Sequence, residues 1–112
     1  MDSVVVKSVD EAAVRRAADD YAASVFSARP DVEEIVVFGS FANGTYAPGS
    51  DLDLLIVLTR ASGPVRDRIP DLLPRTFPVP VDLFPYTREE LRERADSPIV
   101  EAANASQWRY RR

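Results

Sequence analysis

Residues 35–58 read IVVFGSFANGTYAPGSDLDLLIVL, and the fold turns on this stretch. Ile35-Val36-Val37-Phe38 is a short apolar run that stops at Gly39. Leu52 to Leu58 is a second run, apolar and in part β-branched. Both are too short for a buried helix and are bounded by glycine, so they read as buried strands. The loop between them is rich in glycine and small residues, with a short helical turn expected directly after Gly39. Asp51 and Asp53 flank Leu52 at the head of the second strand. Side chains alternate across a strand, so the two carboxylates share a face, with Cα atoms about 7 Å apart. Leu52, Leu54, Ile56 and Leu58 take the other face. Two carboxylates on one face repel unless a cation or protons lie between them.

Working outward, Ser8 and Glu11 have the spacing of a capping box and predict a helix from about Val9 to Ala28. Val14, Ala17, Tyr21 and Val25 recur at helical spacing, and Pro30 marks the end. Pro64 to Leu73 reads as a short helix limited by Pro70 and Pro74. Val79 to Phe84 reads as a third strand, which Pro78 and Pro80 put at a sheet edge or leave unpaired at its start. Thr87 and Glu90 form a second capping box before a helix carrying Leu91. Its Arg88, Arg92 and Arg94 alternate with Glu89, Glu90 and Glu93 as on a solvated face. Ser97-Pro98 opens a last helix with Ile99, Val100 and Ala103 on its apolar side. Residues 108–112, WRYRR, read as a frayed terminus, although aromatics and arginines also favour interfaces. The order helix, strand, loop, strand, helix, strand, helix, helix predicts an α/β (α+β) fold, a small mixed sheet flanked by helices.

Composition narrows the chemistry. At 112 residues the chain fits one domain. It has no cysteine, which removes thiolate nucleophiles, disulfides and cysteine-bound zinc. It has no histidine, which removes serine–histidine triads and imidazole acid–base chemistry. Lys7 is the sole lysine, so no glycine-rich loop ends in a P-loop lysine. What remains is carboxylates, hydroxyls, arginines, backbone amides and an oxygen-ligated metal. Fourteen basic against eighteen acidic residues give a net charge of −4, which disfavours broad nucleic-acid binding. No apolar run approaches the ~20 residues of a membrane span, and the N-terminus lacks signal-peptide character, so a cytoplasmic location without membrane contact is expected.

Asp82 interrupts the third apolar strand, in Val81-Asp82-Leu83, where an aspartate is locally unfavourable. If that strand lies beside the second, Asp82 joins Asp51 and Asp53. Three converging carboxylates suit two magnesium or manganese ions about 3.5–4 Å apart, an arrangement for in-line phosphoryl or nucleotidyl transfer. Gly39-Ser40 follows the first strand directly. A glycine there permits close backbone approach, and the amides of the next turn form an anion site to which Ser40 adds a hydroxyl. Ser50 caps the loop and steers Asp51. Tyr46 reads as a loop-packing aromatic, with stacking on a base as the alternative.

At Gly39-Ser40, a nine-residue spacer, Ser50-Asp51-Leu52-Asp53 and the later Asp82, the sequence resembles the DNA polymerase β-like nucleotidyltransferase superfamily. Ala42 and Gly44 match the small residues common in the spacer. The length is similar to that of the minimal nucleotidyltransferases (MNT) of two-gene HEPN/MNT toxin–antitoxin modules, which implies one minimal nucleotidyltransferase domain over 1–112 with a polymerase β palm-like fold. The resemblance implies transfer of a nucleoside monophosphate from a nucleoside triphosphate, usually ATP, to a hydroxyl, with Mg2+ (two ions; Mn2+ an alternative). It places Gly39, Ser40 and Ser50 at the nucleotide and Asp51, Asp53 and Asp82 at the metals, Asp82 also helping to deprotonate the acceptor. It further implies a HEPN-type helical partner whose tyrosine is adenylylated. One departure stands out: Asn43 takes the place of an arginine common among minimal relatives, and Arg60, Arg66 and Arg68 are candidates to replace that cation.

Two other readings remain open. One is a non-catalytic module that neutralises a HEPN partner by contact. The other is a small-molecule, aminoglycoside-like adenylyltransferase, whose acceptor site would need a partner chain or a homodimer.

Overall fold

The computed structural model describes residues 10–112. The elements are α1 (Glu11–Ala28), β1 (Val32–Phe38), α2 (Ser40–Asn43), β2 (Leu52–Leu58), α3 (Val65–Arg68), a 3-10 turn (Pro70–Leu72), β3 (Val81–Thr87), α4 (Arg88–Glu93), α5 (Pro98–Ala105) and β4 (Arg109–Arg111). The four strands form one mixed sheet in the order β3-β2-β1-β4. β1 runs antiparallel to β2 and to β4, whereas β2 and β3 are parallel.

Both faces of the central strands are covered, which explains their unbroken apolar runs. On one face Ile35, Val37, Leu52, Leu54, Ile56, Leu58 and Leu83 pack against Val14, Tyr21, Ala22 and Val25 of α1, with Phe41 and Leu72. On the other, Val36, Phe38, Leu55 and Val57 pack against Ala103 of α5, with Phe84, Tyr86, Leu91 and Ile99 at the margin. The result is a helix–sheet–helix sandwich. The Tyr21 hydroxyl donates to the Leu72 carbonyl at 2.6 Å, tying α1 to the 3-10 turn.

Several boundaries differ from the sequence expectation. Asp10 caps α1, its carboxylate accepting from the Ala13 amide at 3.0 Å, and the helix starts at Glu11. Ser8 lies outside the described residues, and aspartate is as good a cap as serine. The helix expected over residues 64–73 is broken in two, because Pro70 has no amide to continue it. β3 starts later than expected, past Pro80, and continues through Pro85 and Tyr86. As an edge strand it tolerates a proline whose nitrogen faces outward.

Two corrections concern charge. The Thr87–Glu90 capping box is present, but Glu90 is not on a solvated face. Its carboxylate takes two hydrogen bonds from Arg68, at 2.7 and 3.0 Å, and one from the Thr87 amide at 2.8 Å. Arg68 also donates to the Pro85 and Gly63 carbonyls, so the crossover between β2 and β3 is pinned to the end of β3. Residues 108–112 are not frayed. β4 covers the outer edge of β1, and Arg109 and Arg111 donate to Glu34 Oε2 at 3.0 and 2.8 Å. Glu34 is 5% exposed, and these two guanidiniums hold its carboxyl below the ordinary range against the opposing effect of burial.

Arg68 and the Thr87 amide hold the Glu90 carboxyl down at about 2, from an ordinary 4.5. The pair's stabilisation is therefore full above pH 4.5 and is lost as pH falls towards 2. Glu90→Gln should cost about 2 kcal/mol in urea unfolding at pH 7, short of the ~3–5 kcal/mol of a fully buried pair because Glu90 keeps some exposure. Its acid-side loss of stability should be correspondingly shallower. Removing residues 108–112 takes Arg109 and Arg111 from Glu34 and uncovers the outer edge of β1. It should cost about 3 kcal/mol or more, read as a lower urea midpoint.

Candidate active site

The register carries three residues across one end of the sheet in a single row. Phe38 of β1 lies opposite Asp53 of β2, and Asp53 lies opposite Asp82 of β3. Neighbouring strands are about 4.8 Å apart, so the two aspartates are side by side on one face. Asp51 ends the loop just before β2 and is exposed, as is Asp82. The strands begin together because the Leu52 amide donates to the Pro80 carbonyl at 2.8 Å. Beyond the carboxylates on the same face, Phe38 and Phe84 meet at 5.6 Å between ring centroids, tilted by 52°.

Asp53 is the half-buried member of the three. Burial raises its carboxyl above the ordinary 3.8, and the neighbouring charges of Asp82 and then Asp51 push in the same direction. Among the described residues none of the three takes part in an ion pair, and no three carboxylates enclose a single point at metal-binding spacing. They share an end of the sheet without closing into a cage.

Gly39 links this row to α2. Its φ of 84° and ψ of −151° belong to a region that only glycine occupies readily. α2 starts at Ser40 with no side-chain cap, and its first amides have no partner within the helix. Among the described residues the Ser40 hydroxyl makes no hydrogen bond to protein, while its carbonyl accepts from Thr45 at 3.0 Å. Ser50 serves the loop itself. Its hydroxyl accepts from the Ala47 amide at 2.9 Å and its amide donates to the Ala47 carbonyl at 3.0 Å. Tyr46 stacks on Phe41 at 4.8 Å and donates to Glu11, so it is a packing aromatic.

The expected replacements for an arginine at position 43 are not at the site. Arg68 is committed to Glu90 and two carbonyls. Arg60 follows the far end of β2, about 23 Å along the strand from Asp53 at ~3.3 Å per residue. Arg66 is exposed beside Asp67. Asn43 itself is exposed and lines a cavity of about 510 Å3 with Arg15 and Trp108. Another cavity, of about 620 Å3 between α1 and residues 74–78, is lined by none of Asp51, Asp53 and Asp82.

The family model of nucleotidyltransferase domains matches residues 21–108. The chain belongs to that family. The crystal structure of a candidate nucleotidyltransferase from Sulfolobus solfataricus superposes with a TM-score of 0.60 at 24% identity, over 90% of this chain and 80% of that one. That likeness is one of fold. No match was found among curated proteins. Nucleotidyltransferase domains in general take a nucleoside triphosphate and a divalent metal. No helix among the described residues is long and apolar enough to cross a membrane.

Phe38 and Phe84 are additions to the residues expected at this end of the sheet. Alternation gives each strand a face, but only the register sets Phe38 opposite Asp53. Asp53 binds a proton more readily when folded than when unfolded, so its contribution to stability falls as pH rises from 3.8 through its higher folded value. With a chelator present, Asp53→Asn should raise the melting temperature at pH 7 by a few degrees, and the gain should shrink below about pH 4. A thermal melt series across pH reads this directly.

Proposed function

We propose that this nucleotidyltransferase transfers a nucleoside monophosphate from ATP to a hydroxyl, with magnesium. The pairing of Asp53 with Asp82 beside Gly39 is the observation that carries the reading. The donor set fits a hard divalent ion, because it is all oxygen and carries negative charge that no arginine neutralises among the described residues. Asp51, Asp53 and Asp82 would hold two ions, with Mn2+ able to replace Mg2+. Bound there, such ions supply charge for the departing pyrophosphate and acidify the acceptor hydroxyl. Gly39 and the amides that start α2 would receive the triphosphate, with a donor from Ser40. Ser50 would keep the loop folded so that Asp51 stays at the head of β2. Asp82, exposed at the sheet edge, would take the proton from the acceptor hydroxyl on Oδ1 or Oδ2.

The acceptor we propose is a tyrosine of a HEPN-type helical partner, within a toxin–antitoxin pair. The exposure of Asp51 and Asp82 supports an acceptor brought by another chain, whether that partner or a second copy. One observation favours the contact-only alternative: Asn43 stands where many minimal relatives have arginine, and Arg68 is locked to Glu90.

The test uses nucleoside triphosphates labelled at the α-phosphate, with Mg2+ and host lysate. It compares wild type with Asp51→Asn/Asp53→Asn. We expect label from ATP in one discrete protein band, reduced about a thousandfold or more in the variant, as loss of metal charge stabilisation implies. Label confined to small molecules would move the acceptor to that class. No label from folded protein with any base would leave the contact-only module.

A further inference from the structure

We propose that Gly39 is a positioning residue for Asp53, beyond any contact it makes with a nucleotide. A Cβ built on Gly39 would collide with Asp53 Oδ2 and lie 3.3 Å from its Cγ and 3.6 Å from its Cβ. The carboxylate occupies the volume that any other residue at position 39 would fill. Strand alternation would turn a side chain at 39 away from the face shared by Phe38 and Asp53. The φ of 84° reverses that and aims the missing Cβ at the carboxylate. The other positive-φ glycines differ. At Gly44, Gly49 and Gly63 a Cβ would meet nothing within 4 Å, so at those sites the glycine answers to backbone conformation alone.

The missing side chain at 39 leaves the room that the Asp53 carboxylate occupies. That carboxylate lies against the backbone of the turn that opens α2, half-buried, while Asp51 and Asp82 remain exposed. A side chain at 39 would push Oδ2 out of the row it shares with Asp82. Gly39 therefore couples the anion-binding turn to the carboxylate row sterically. This inference rests on the reading of Asp53 as a metal ligand, but its steric part can be measured apart from it.

The experiment is a double-mutant cycle on thermal stability with Gly39→Ala and Asp53→Ala, joined to titration with Mn2+ alone. Backbone strain at position 39 is the same in both backgrounds, whereas the collision exists only when Asp53 is present. We expect Gly39→Ala to lower the melting temperature by at least about 5 °C less in the Asp53→Ala background than in the wild type. We also expect folded Gly39→Ala to bind Mn2+ at least about tenfold more weakly. If Gly39→Ala fails to fold in the wild-type background alone, the proposal is supported. Equal penalties in both backgrounds, failure to fold in both, or unchanged Mn2+ affinity in a folded Gly39→Ala would each overturn it. Coupling in the cycle with no Mn2+ binding by the wild type would overturn the metal-site reading while leaving the steric contact standing.

Discussion

Parallel pairing of β2 with β3 is the constraint from which the site follows. A parallel neighbour cannot be reached by a tight turn and needs a crossover of a dozen residues or more. Here residues 59–80 make that crossover, through α3 and the 3-10 turn. Its far side is fastened by Arg68, which reaches the Pro85 carbonyl and Glu90. The ion pair is remote from the aspartates, yet it holds the strand that carries Asp82 against the strand that carries Asp53. The Leu52–Pro80 hydrogen bond fixes the other end, so the register is held from both sides.

The carboxylate row works against the fold that supports it. Three like charges at one end of a sheet, one of them half-buried, oppose folding until protons or cations are bound. The opposing contribution comes from the central strands. Ile35, Val36, Val37, Leu52 and Ile56 are fully buried, and each strand is covered on both faces. A site of this kind is sustainable only on strands with that much apolar contact, and it sits where they end. Stability given up at a functional end of a well-packed core is a common trade.

Much of the fold is legible in the sequence, for identifiable reasons. β2 is found at Leu52–Leu58, where its pattern predicts it, because a buried strand bounded by a glycine-rich loop has few alternatives. Alternation predicts a shared face for Asp51 and Asp53, but Asp51 lies just outside β2. The approach of Asp82 is conditional on β3 lying beside β2, and pairing is a tertiary fact that no local pattern encodes. β3 lies later than its pattern predicts, since it starts past Pro80 and, as an edge strand, runs on through Pro85. WRYRR reads as frayed because its purpose lies at Glu34, far away in sequence. The Arg68–Glu90 pair and the contact between Gly39 and Asp53 are illegible for the same reason. Both depend on register, and register is settled only when the strands meet.

The C-terminal strand has a consequence for biosynthesis. β1 is made early, with Glu34 in it, but the arginines that neutralise Glu34 lie at 109 and 111. While the chain emerges from the ribosome, the outer edge of β1 has no neighbour, and an unpaired strand edge invites association with other chains. Closing the sheet also requires contacts between distant parts of the sequence, which form slowly. Until residues 109–111 are released, the nascent protein has an open edge and an acidic side chain that cannot be buried without its partners. The sheet is thus sealed only once residues 109–111 have been made and can pair with β1.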